Sequence, residues 1–129
     1  MENELEITIN KNELEIAINN FVFYLQEKMD KHYTENFPSL TKPTVKIEFG
    51  NKWCKLIKTD GASKSMYAFI AMKTFSTKEL GSVVVGDIHK PASYNNPAKH
   101  ARGDVFNETT WNCANPYGIE YLRGPSLKL

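Results

Sequence analysis

Between Pro38 and Pro43 the hydrophobic period of this chain changes from about 3.6 residues to about 2, and no other feature limits its possible folds as strongly. On the N-terminal side, Leu14, Ala17, Ile18, Phe21, Leu25, Met29 and His32 recur at threes and fours. That spacing puts them on one face and predicts an amphipathic helix over residues 11–34, with Val22 and Tyr33 widening the buried stripe. Pro38 stops it, because a proline ring removes an amide donor and clashes with the preceding turn. Upstream, the segment LEITIN alternates apolar and polar residues, predicting a short edge strand over residues 4–9. Asn10 and Glu13 then have the spacing of a capping box that would start the helix.

On the C-terminal side, Val45, Ile47 and Phe49 alternate with Thr44, Lys46 and Glu48. Gly50-Asn51 reads as a two-residue hairpin turn leading into a strand over residues 52–58, and Asp60-Gly61 as a second turn. Residues 64–75 are apolar on both faces, which predicts a central strand. Residues 76–80 read as a polar loop and 82–89 as a fourth strand. The expected architecture is α+β: an N-terminal amphipathic helix packed on an antiparallel β-meander of about four strands, followed by a long ordered loop and an irregular C-terminal tail. One domain accounts for residues 1–129, a length that can bury a real core. Its core is expected over about residues 11–106, with Asp104-Val105-Phe106 as a brief strand and 107–129 as the tail, whose Trp111, Tyr117 and Tyr121 close over an open end of the sheet.

Charge is distributed unevenly. Residues 1–35 carry eight acidic side chains against three lysines, whereas residues 36–129 carry thirteen Lys and Arg against seven acids. An acidic helix beside a basic sheet follows, and a basic surface permits contact with a polyanion. The two cysteines, Cys54 and Cys113, form neither a disulfide framework nor a CxxC ligand pair, so a reducing, intracellular setting is expected. No run of about 18 apolar residues suggests a membrane span, and the acidic opening is unlike a signal peptide.

The most distinctive stretch is residues 86–103, GDIHKPASYNNPAKHARG, rich in proline, histidine, asparagine and cations. Pro91, Pro97 and Asn95-Asn96 break regular structure, so residues 90–103 are expected as an ordered loop with one helical turn at 98–101. Metal binding finds no support, because His89 and His100 lie too far apart for a local ligand pair and neither cysteine is near them in sequence. A His-Asn-His nuclease site would need a ββα unit that this loop does not spell. Neither a nucleophile elbow nor a phosphate-binding GK[ST] loop is present. Tyr67-Ala68-Phe69-Ile70-Ala71-Met72 partly matches an RNA-stacking strand, but it lacks the preceding Lys-Gly and reads better as core. What remains is binding through Lys90, Tyr94, Asn95, Asn96, Lys99, His100 and Arg102, helped by Lys52, Lys55 and Lys58. The competing structural account has the loop cations bonding loop carbonyls and Asp87 or Asp104.

With its strand-turn-strand prelude WCKLIKTDGASKSMYAFI, the loop resembles a set of small, functionally uncharacterised proteins of tailed bacteriophages. In these a tryptophan-led strand, a glycine turn, a serine-containing strand, a GDI turn and a K-P-A-S-aromatic, P-A-K, R-G loop follow in order. The similarity covers residues 53–106. It departs in a longer excursion over 73–85 and in His89, where those proteins have an aromatic residue. The resemblance implies a phage origin and brings no activity with it. The expected role is that of a small accessory protein in the host cytoplasm, binding nucleic acid or a host protein through the loop. The alternative is a structural or packaged virion component that meets other phage proteins. No cofactor, catalytic residue, metal or membrane partner is expected.

Overall fold

The hydrophobic period before Pro38 produces one long helix, α1 (Glu2–Asn36), in a computed structural model that describes the backbone of residues 2–120 and the side chains of residues 12–120. Leu14, Ile18, Phe21, Leu25 and Met29 are buried along its inner face. Each fully buried side chain of this size contributes about 1.5–3 kcal/mol before the entropy of ordering it is set against the gain. The helix ends two residues before Pro38, as expected. Its start differs from the expectation: residues 4–9 are helical, and Asn10 and Glu13 both lie within α1, not at its start. No proline or glycine separates LEITIN from the helix, so extending an existing helix costs less than ending one element and nucleating another.

Seven strands follow before a 3-10 helix. β1 (Thr44–Glu48), β2 (Trp53–Asp60), β3 (Ser63–Ala71), β6 (Asp87–Pro91) and β7 (Pro97–Asp104) form a five-stranded antiparallel sheet in the order β1-β2-β3-β6-β7. Between β3 and β6 the short strands β4 (Phe75–Thr77) and β5 (Gly81–Val83) pair only with each other. β3 is central, as its two-sided apolarity predicts, and Tyr67, Ala68, Phe69, Ile70 and Ala71 are all buried. Cys54, Leu56, Ala68, Ile70 and Ile88 form one core with α1. A bulge between Leu56 and Ile57 leaves Tyr67 as the extra residue of β3, so Tyr67 joins this same core beside Ala68.

Two turns differ in detail from the sequence reading. The β1–β2 ladder closes at Glu48–Lys55, so Gly50-Asn51 belongs to a longer connection than a two-residue hairpin. Glycine is needed at 50 because a Cβ there would lie 2.5 Å from the Trp53 carbonyl oxygen. At the second turn Asp60 pairs with Ser63, making Gly61-Ala62 the two loop residues. Gly61 has φ +64° and Ala62 is not left-handed, the pattern of a II′ turn with glycine first.

Beyond β3 the structure differs from the sequence expectation in four places. Residues 75–83 form the β4–β5 ribbon where a polar loop was expected at 76–80. The strand expected over 82–89 is split by a turn, in which the Asp87 amide bonds the Val84 carbonyl and Asp87 Oδ2 accepts from the Val84 amide. Residues 90–103 are mostly strand, and no helical turn occurs at 98–101. Pro91 and Pro97 are compatible with this because they sit at the end of β6 and the start of the edge strand β7, where a missing amide donor costs little. Asp104 ends β7, and no separate strand runs over 104–106.

The expected irregular tail is ordered from Asn107 to Ile119. A 3-10 helix (Glu108–Cys113) is capped by Asn107, and β8 (Ala114–Asn115) pairs with β9 (Gly118–Ile119). Trp111, Cys113, Ala114 and Ile119 belong to the main core. Tyr117 is exposed, and Tyr121 lies outside the described residues.

Candidate binding surface

The β6–β7 hairpin distributes the seven binding candidates unequally. At its tip, Ala92 and Ser93 donate their amides to the Asn96 carbonyl, and Asn96 Nδ2 reaches Ser93 Oγ at 3.3 Å. This leaves Tyr94 about half exposed and Asn95 exposed beside it. Lys99 and His100 are exposed on the edge strand. Arg102 is half-buried, donating from Nη1 to the His100 carbonyl at 2.9 Å. Lys90 is turned to the helix side, where Nζ donates to the Ile119 carbonyl at 2.7 Å. Two of the three loop cations therefore bond carbonyls, while Tyr94, Asn95, Lys99 and His100 face water.

A second group lies on the sheet side opposite α1. Strand alternation sends Trp53, Phe69 and His89 away from Cys54, Ile70 and Ile88. Trp53 meets Phe69, Phe75 and His89 edge to face, at centroid distances of 6.0, 5.5 and 5.1 Å. The β4–β5 ribbon supplies Phe75, and Lys52 Nζ lies 4.8 Å from that ring's centroid. Lys55 stands between Glu48 and Phe69 in the ladder. Lys58 does not join them: it points to the opposite side, where Nζ donates to the Pro116 carbonyl at 3.1 Å and lies over the Tyr117 ring. Sequence reasoning missed the Trp53–Phe75–Lys52 cluster, whose one available signal was a tryptophan opening a strand next to a lysine.

His89 is almost wholly buried, at 1% exposure. Its Nδ1 donates to the Ala98 carbonyl at 2.7 Å, and its Nε2 is buried without a hydrogen-bond partner. Burial lowers its pKa below the usual histidine value; the Ala98 carbonyl and Asp87 act against the shift, and Arg102 and His100 add to it. A neutral ring, protonated at Nδ1, follows.

Neither thiol is poised for catalysis. Burial, and then the Glu48 carboxylate, push Cys54 up to about 12; burial, and then Glu120, push Cys113 up to about 11. Among the described residues no three His, Cys, Asp or Glu side chains cluster where a metal ion could be held. No helix among them is long and apolar enough to cross a membrane. What the surface offers is the partly exposed Trp53 and Phe75 flanked by lysines, and an exposed hairpin carrying Tyr94 and Lys99.

The chain belongs to a family of unknown function (DUF7717), whose model matches residues 5–115. The match takes in α1 from residue 5 onward, the whole five-stranded sheet and the 3-10 helix. No curated protein and no solved structure matches the chain.

Proposed function

We propose that this family member is a binding domain for single-stranded nucleic acid, acting as a small phage accessory protein in the host cytoplasm. The observation that carries this reading is the combination of Lys52 over the Phe75 ring, Trp53 beside it, and the exposed Tyr94 and Lys99 on the adjoining hairpin. Single strands are held by cations that track phosphates and by aromatic rings on which bases stack. Tyr94 is the stacking ring; Lys52, Lys55 and Lys99 are the phosphate contacts. The face of α1 that carries Leu14 to Met29 packs on the opposite side of the sheet, so Glu13, Glu15, Glu27, Asp30 and Glu35 are separated from this surface.

The phage setting rests on the resemblance of residues 53–106 to small proteins of tailed bacteriophages. It divides into two cases. An accessory factor is found in infected cells and missing from purified particles, whereas a virion component is found in both.

The test is a fluorescence-anisotropy titration of labelled single-stranded DNA and RNA at several salt concentrations. Binding should weaken with salt, and each of Lys52→Ala, Lys55→Ala and Lys99→Ala should lower the logarithmic salt slope by about 0.7. Absence of binding at low salt would overturn the reading.

A further inference from the structure

A groove of about 280 Å³ lies between α1 and the segment that joins β7 to the 3-10 helix, on a different part of the molecule from the surface above. Its lining is mixed: Ile16, Ala17, Val105, Phe106 and Trp111 supply apolar surface, and Asn20 supplies a polar side chain. Val105 and Trp111 are buried beneath it, whereas Ile16 is 61% exposed and Phe106 48% exposed at its two sides. Two carboxylates, Glu13 from α1 and Glu108 from the 3-10 helix, complete the rim, and no cation lines it. Both are exposed, and neither has a cationic partner among the described residues.

We infer that this groove docks a peptide segment in which one or two large aliphatic residues are flanked by lysine or arginine. Three observations select that occupant. The volume falls just below the range of about 300–1,000 Å³ usual for small-molecule pockets and suits a side chain or two. Ile16 and Phe106 leave apolar area in water that an aliphatic anchor would cover. Glu13 and Glu108 repel phosphate and attract ammonium and guanidinium groups, and Glu13 stands on an acidic helix that adds to the same field. The groove therefore takes a basic peptide, while the proposed nucleic-acid surface takes an anion; the two readings stand or fall separately.

The probe is a fluorescein-labelled peptide, acetyl-GRKLLRKGG-amide, titrated with the full chain. Two controls replace its four cations by glutamate or its two leucines by serine. Binding of the parent peptide, loss of binding with both controls, and weakening by salt are expected. Glu13→Gln with Glu108→Gln should weaken binding about fivefold. Glu27→Gln with Glu35→Gln, which changes the net charge equally at exposed positions of α1 away from the groove, should leave it unchanged. Equal effects of the two pairs would reduce the attraction to general charge and overturn the inference, as would binding of the serine peptide at full strength. A dimer of the free protein that Glu13→Gln with Glu108→Gln dissociates would also overturn it, because the occupant would then be a second copy.

Discussion

Trp111 meets Phe21 edge to face, with ring centroids 5.5 Å apart and planes inclined at 67°. Through this contact the 3-10 helix is locked to the middle of α1, and Tyr24 flanks the same indole at 5.4 Å. Trp111 Nε1 donates to the Asp104 carbonyl at 3.1 Å, so one side chain joins the helix, the end of β7 and the C-terminal segment.

Phe21→Ala should destabilise the fold by about 3–5 kcal/mol, since the residue is fully buried. Trp111→Ala should cost a similar amount. The double mutant should cost less than the two combined, by about 0.5–1.5 kcal/mol, because the aromatic pair is lost only once. Urea unfolding of the four proteins measures this. Strict additivity would mean that the two rings do not support each other.

Gly61→Val should lower the melting temperature through backbone strain alone. A Cβ at 61 meets nothing within 4 Å, but φ +64° is costly for a β-branched residue. The expected loss is about 1–2 kcal/mol, with Gly61→Asn losing less. An unchanged melting temperature in Gly61→Val would count against the II′ turn.

His89 should make stability fall in acid. The folded state holds its pKa below the unfolded value of 6.5, chiefly through burial. Its neutral form thus stabilises the fold fully above about pH 6.5, and the contribution is lost as pH falls from there towards the folded pKa. The charged or ionisable side chains that bear on it are Asp87, Arg102 and His100, all on the same hairpin. His89→Phe should flatten the stability profile just below pH 6.5, and urea midpoints across that range would show it. The same slope in parent and variant would assign the pH dependence to another group.

Lys90 and Lys99 should separate cleanly in mutagenesis. Lys90→Ala removes the donor to the Ile119 carbonyl and should cost about 1–2 kcal/mol. Lys99→Ala, at an exposed position, should change stability by less than about 0.5 kcal/mol and act on nucleic-acid binding instead. Thermal melts set beside salt-dependent titrations distinguish the two. A destabilised Lys99→Ala would make that side chain a brace as well.

Local physics determined a large part of this protein. The stripe from Leu14 to Met29 can be buried only as a helix, Pro38 limits that helix, and the two-sided apolarity of residues 67–71 requires a strand covered on both faces. Tyr94 and Lys99 were legible as surface residues for the same reason: neither can be buried cheaply without a partner. Tertiary structure decided the rest. GDIHKPASYNNPAKHARG has the composition of a loop, and it becomes a hairpin because the open edge of β3 offers backbone partners to residues 87–91, after which β7 pairs with β6. The same pairing turns Lys90 inward to Ile119 and buries His89, while the β4–β5 ribbon carries Phe75 to Trp53. Trp111 lies ninety residues from Phe21 in the chain, and only packing brings them together. A sequence states which residues seek burial and which local geometries are cheap; which strand edge accepts a polar segment, and which side of the sheet each lysine meets, depends on register, a property of two strands that neither carries alone.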